Sequence, residues 1–172
     1  MTALRLPKLV EGDPRATRVH AALAGASAPL WARSELRVAE MAMSDAIARA
    51  LRAAADAGQL VRGLEGAERS LANAARGQRL ADEARGEARG ERVSRILLLS
   101  NDGAERFYRN AETLLRRHGG SVLALRVALD ADALGALAFG PEATARAVLL
   151  DHKEAVAAVL FALAVDEAPF PS

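Results

Sequence analysis

Two rhythms of apolar and polar positions divide the chain. From residue 93 onward, continuous apolar runs alternate with amphipathic segments. The run "VSRILLL" at residues 93–99 reads as a strand buried on both faces. After it, Ala104, Phe107, Tyr108, Ala111, Leu114 and Leu115 share one helical face, and Glu105, Arg106, Arg109, Glu112 and Arg116 lie mostly on the other. "HGG" closes that helix. "SVLALRVAL" follows as a second strand, and "DADALGALAF" as a short helix stopped by Gly140-Pro141. "ARAVLL" makes a third strand and "HKEAVAAVLFALAV" a last helix. Alternation of this kind predicts parallel strands joined by right-handed crossovers, hence a small Rossmann-like sheet.

Before residue 93 the period is helical. Asp13-Pro14 reads as a helix start, with a brief helix to about Leu23 that ends near Gly25. The dozen residues ahead of it suit a short arm or edge strand. Pro29 opens a longer helix to about Asp56, along which Leu36, Ala39, Met43, Ile47, Ala50 and Ala54 recur at helical spacing. Gly58 breaks it. A further helix starts near Leu60 and carries Leu64, Ala67, Leu71, Ala74, Gln78 and Ala81. Joined by "DAGQ", the two helices are expected to form an antiparallel hairpin with a small-residue seam. Gly63, Gly66, Gly77, Gly86 and Gly90 weaken its second arm, each by about 0.8–1 kcal/mol relative to Ala. The charged "ADEARGEARGER" is expected to fray or to serve as a connector. The predicted fold class is therefore α/β. A helical region with the hairpin occupies residues 1–92, and a three-stranded parallel βαβαβα domain occupies residues 93–172. The hairpin covers an exposed face or edge of the thin sheet.

Composition narrows the function classes. Apolar residues are 51% of the chain, yet much of that is Ala and aromatics are only 3%, which suits closely packed helices. A net charge of +1 gives no electrostatic reason to expect nucleic acid or an anionic membrane. The arginines between Arg33 and Arg95 are matched by Asp and Glu, with no aromatics between them, so a solvated ion-paired face is preferred to an RNA-binding one. Cysteine is absent, which excludes disulfides and Cys-based zinc sites. The opening "MTALRLPKLVEGD" lacks a signal-like apolar region. The apolar run at residues 155–165 is shorter than the ~20 residues of a spanning helix. A cytoplasmic protein is expected, and the preference for Arg and Ala over Lys points to a GC-rich bacterial source.

Candidate chemistry sits where parallel strands end, because open α/β sheets bind ligands outside the carboxyl ends of their strands. Those ends hold Ser100, Asn101, Asp102 and Gly103, then Asp130 with Asp132, then Asp151, His152 and Lys153. With the first strand between the other two, Asp102, Asp151 and Lys153 would share one crevice with two helix N-termini. Two carboxylates there would suit Mg²⁺, and Lys153 with free N–H groups would suit a phosphate. Helix capping competes with that reading, since "DGAE" and "DHKE" both fit a capping box. Capping is preferred, because the chain carries no GxGxxG, P-loop, HExxH or GxSxG motif. Trp31, Phe107 and Tyr108 read as packing residues, and His20 and His118 have no partner at metal-ligand spacing.

The leading expectation is a regulatory or interaction protein, with no cofactor and no metal. Its hairpin would serve self-association or a protein partner, on a rigid α/β scaffold. The alternative is a domain for a nucleotide or phosphorylated small molecule, with Mg²⁺-dependent phosphotransfer, at Ser100–Gly103 with Asp151, His152 and Lys153. Whether the chain is an enzyme stays open at this point.

Overall fold

The computed structural model describes residues 4–86 and 92–165. In chain order the elements are α1 (Lys8–Glu11), α2 (Ala16–Gly25), β1 (Ser27–Pro29), β2 (Arg37–Met41), α3 (Asp45–Asp56), β3 (Leu60–Arg62) and α4 (Gly63–Arg85). Then come β4 (Arg95–Leu99), α5 (Glu105–His118), β5 (Val122–Val127), α6 (Ala131–Phe139), β6 (Ala147–Leu150) and α7 (Lys153–Leu163). No helix among the described residues is long and apolar enough to cross a membrane.

The strands form one open, mixed sheet in the order β1-β2-β5-β4-β6-β3, so segments from both sides of residue 92 share it. β2, β5 and β4 run parallel, while β1, β6 and β3 are each antiparallel to the strand they join. Helices α2, α3, α6 and α7 cover one face around Leu51, Leu134, Val156 and Leu160. Helices α4 and α5 cover the other around Leu71, Tyr108 and Leu114. The central strands are buried on both sides, as their apolar runs require. The outer strands β1 and β3 are three residues each, and Pro29 sits on one of them, which leaves little edge for unwanted pairing.

The expected helical hairpin does not form. Residues 29–44 hold the last residue of β1, the loop 30–36 and β2, and the helix begins only after Ser44, whose Oγ accepts the Ile47 N–H at 3.1 Å. Alanine misled the periodicity: Ala39 and Met43 fit a helical stripe, but Val38 and Ala39 are buried on opposite faces of a strand. Helix α3 packs on α6 and α7, while α4 packs on α5 and β6 across the sheet. The short β3 carries the chain from one face to the other. The segment expected to fray continues α4 to Arg85, where Gly86 at φ 75° closes it; residues 87–91 lie outside the described residues.

The expected helix start at Asp13-Pro14 also moves, to α2 at Ala16. Asp13 instead accepts the Arg15 N–H at 2.8 Å and pairs with its guanidinium, which holds the carboxyl down to about 2. The root of α4 is tied to α5 by Glu68, which accepts from Arg117 at 2.8 Å and lies 3.4 Å from His118 Nε2. Burial pushes the Glu68 carboxyl up, but those two partners outweigh it and hold it below its usual range.

The strand-helix alternation after residue 93 is present, but its three strands are not all parallel. The spatial order β5-β4-β6 puts the first strand between the other two, yet β6 is antiparallel to β4. The cause is the crossover. After Gly140 the chain doubles back along α6, and the Ala145 N–H reaches the Ala131 carbonyl at 2.9 Å. Thr144 Oγ1 adds a 2.8 Å bond to Asp132. The return is possible because Gly135 has no side chain: a Cβ there would lie 2.3 Å from the Ala143 oxygen. The chain therefore re-enters the sheet at the end it left, and β6 must run the other way. Gly135→Ala is expected to destabilise the fold by about 1–3 kcal/mol or more, read as a lower urea midpoint with unchanged slope.

Candidate functional site

At the carboxyl ends of β4 and β5, α5 leaves toward one face and α6 toward the other, which is the arrangement that opens a ligand crevice in parallel sheets. Here the crevice is filled by the protein's own groups. The Asn101 N–H donates to the Leu129 carbonyl at 2.9 Å, and the Ala131 N–H donates to Asp102 Oδ1 at 3.1 Å. Ser100, fully buried, donates its Oγ to the same carboxylate oxygen at 2.8 Å. Asp102 thus occupies the N-terminus of α6, where a bound phosphate would otherwise accept backbone N–H groups. Burial pushes its carboxyl up, but the Ser100 and Ala131 hydrogen bonds and the charge of Arg146 outweigh that and leave it below its usual range.

Gly103 is likewise explained from within. A Cβ at this position would lie 2.5 Å from the Phe107 ring and 3.0 Å from that of Tyr108. The Tyr108 hydroxyl donates to the Ser100 carbonyl at 2.7 Å and accepts the Gly103 N–H at 3.1 Å. The turn is a hydrogen-bonded corner around a buried tyrosine. Outside it lies an open depression of about 470 Å³ lined by Asp102, Ala104, Arg106, Phe107, Asn110 and Arg146. The N-cap of α5, Ala104, makes no side-chain cap bond, so this depression joins an open helix N-terminus to two exposed arginines. Arg106, Asn110 and Arg146 were not singled out from the sequence; nothing there marks Arg146 as a neighbour of a turn more than forty residues earlier.

Asp151, His152 and Lys153 do not join this corner. Ile96 faces Leu150 and Leu99 faces Ala147, so the end of β6 lies beside the start of β4, roughly 15 Å from the Ser100 turn along a five-residue strand. Asp151 pairs with Arg95 Nε at 2.8 Å. His152 is the N-cap of α7, its Nδ1 accepting the Glu154 N–H at 3.1 Å, and Lys153 is exposed. Asp130 caps α6 as expected, accepting the Ala133 N–H at 2.8 Å. Asp102 and Asp151 both work as structural acceptors, but neither caps the helix that follows it. Among the described residues no three His, Asp or Glu side chains are gathered as a metal ion would need.

A second feature open to a partner is α4. Its root is held by Ala67 and Leu71, but from Ala72 to Ala81, and again at Glu83 and Ala84, it is exposed. Leu80 stands 59% exposed in the middle of that arm.

No family model matches the chain, and no curated protein matches it. Among solved structures it is similar to a protein with unknown function from Bacillus halodurans C, at 15% identity and a TM-score of 0.49. That match covers 70% of this chain and 98% of the other.

Two outcomes are expected at the corner. Tyr108→Phe strips a buried carbonyl of its donor and should cost about 1–2 kcal/mol by denaturant titration. Asp102 has a lowered folded-state pKa, so its contribution is full above the unfolded-state value and is lost as pH falls through the folded one. The stability gap between the protein and Asp102→Asn should therefore narrow on acidification below roughly pH 4. A gap that stays constant would show that the carboxylate charge contributes nothing there.

Proposed function

We propose that this chain is an interaction protein whose docking element is the outer half of α4. The observation that carries the reading is the arm itself. A helix bound to the sheet at its root continues for about 20 Å with almost every residue exposed. An isolated helix of that length is marginal in water, and this one has its root as a nucleus. The rest of the molecule supplies the rigid base. Regulation through such a contact, rather than catalysis, fits a chain whose strand-end acids Asp102, Asp130, Asp132 and Asp151 are each bonded within the molecule.

A ligand site for a phosphorylated small molecule is the second reading, and one observation favours it: Arg106 and Arg146 border the open N-terminus of α5. It no longer includes Asp151, His152 or Lys153, and Mg²⁺ would have only Asp102 as a carboxylate. The arm reading is preferred.

A photo-crosslinking residue at Leu80, in the cells that make this protein, should give a discrete adduct of higher mass. The same residue at Arg79, about 100° further round the helix, should give much less. Equal labelling at both positions, or none at either, would sink the arm as a docking element.

A further inference from the structure

The outer half of α4 carries an apolar face that its root does not share. At about 100° per residue, Leu64, Ala67 and Leu71 make the face turned to the sheet, whereas Ala74, Gly77, Leu80, Ala81 and Ala84 gather on one turned away from it by roughly 110°. The root's packing therefore does not explain this second face. Gly77 adds an independent observation. It has an ordinary helical backbone, with no positive φ, and a Cβ there would meet nothing within 4 Å. Glycine weakens a helix interior, and nothing inside the molecule requires it at this position. A close approach from outside would give it a use.

We propose that this face packs against the same face of a second copy of the chain, the two arms running antiparallel. The proposal rests on the reading of α4 as the docking element and names its occupant. Charge selects both occupant and direction. Arg76 and Glu83 flank the same edge of the face, about 10 Å apart along the helix, too far to pair with each other. With the two-fold axis between residues 79 and 80, Arg76 of each chain stands beside Glu83 of the copy, twice by symmetry. A parallel pair would carry the Arg76 and Glu83 edges of the two chains to opposite sides of the seam, where no Arg76–Glu83 pair forms. In the antiparallel pair Leu80 lies near the axis and over Gly77 of the other arm, where no side chain blocks it. Two arms of this length bury less than the ~1,200–2,000 Å² of a stable interface, so the association is weak and concentration-dependent.

The chain has no cysteine, which makes disulfide trapping clean. Leu80→Cys chains at several hundred micromolar, under mild oxidation, should crosslink to one another at least ten times faster than chains carrying Glu142→Cys, an exposed position away from the arm. Ala74→Cys alone should not crosslink above that control, since its two copies lie about 16 Å apart, beyond the ~7 Å that a disulfide spans. Mixed with Ala84→Cys, it should. Circular dichroism confirms that each variant is folded. Self-crosslinking of Ala74→Cys would overturn the antiparallel direction, and Leu80→Cys no faster than the control would overturn the second copy as occupant. If Leu80→Cys fails while the Leu80 photo-adduct persists in cells, the arm docks on another protein. If both are absent, the docking reading falls as well.

Discussion

The direction of β6 hangs on one close approach, the backbone of residues 143–144 lying against α6 where Gly135 carries no side chain. A crossover that ran the full depth of the sheet would have delivered β6 parallel to β4. Because the chain doubles back along a nine-residue helix instead, β6 enters from the opposite end. Its reversal lets β3 add outside it as a short antiparallel edge, and β3 in turn hands the chain to the face where α4 begins. The location of Asp151 beside the start of β4 and the point from which the arm projects both follow from it.

Much of this architecture was legible in the sequence and one decisive part was not. Every strand and helix after residue 93 stands where the apolar runs and the Gly punctuation put it, because Leu, Val and Ile leave little doubt about burial. Strand direction is a property of the connection, and a glycine chosen for close approach looks the same in sequence as one that merely weakens a helix. In the first half Ala replaces the larger apolar residues. Val38 and Ala39 in a strand and Ala46 to Ala54 in a helix then give nearly the same pattern, so β2 passes for part of one long helix.

The Ser100 turn shows how a site-like sequence arises from structural needs alone. A serine, an acid and a glycine at a strand end are the residue types that a phosphate site would use. Here the serine hydroxyl fixes the carboxylate, the carboxylate serves the first N–H of a helix on the neighbouring loop, and the glycine makes room for an aromatic pair. Asp102 supplies from within the negative charge that the end of α6 attracts. The competing expectation of capping was right in kind and wrong in target. Asp102 serves α6 rather than the helix that follows it, and Asp151 is replaced as the cap of α7 by His152. Loop-to-loop capping of this sort joins residues far apart in sequence, which no local motif can reveal.

Gly135 and Gly77 sit in helices with the same unstrained backbone, and the difference between their surroundings separates fold from function. At Gly135 the neighbouring chain presses within van der Waals distance, and the residue is accounted for by a contact inside the molecule. At Gly77 the surroundings are empty, the helix is exposed, and the cost of glycine has no internal return. Flanking it are a single large apolar side chain and two opposite charges about 10 Å apart along the helix. The residues that specify this fold find their reasons within one copy of the chain, whereas for those of the arm the reason we propose is a second copy laid against it.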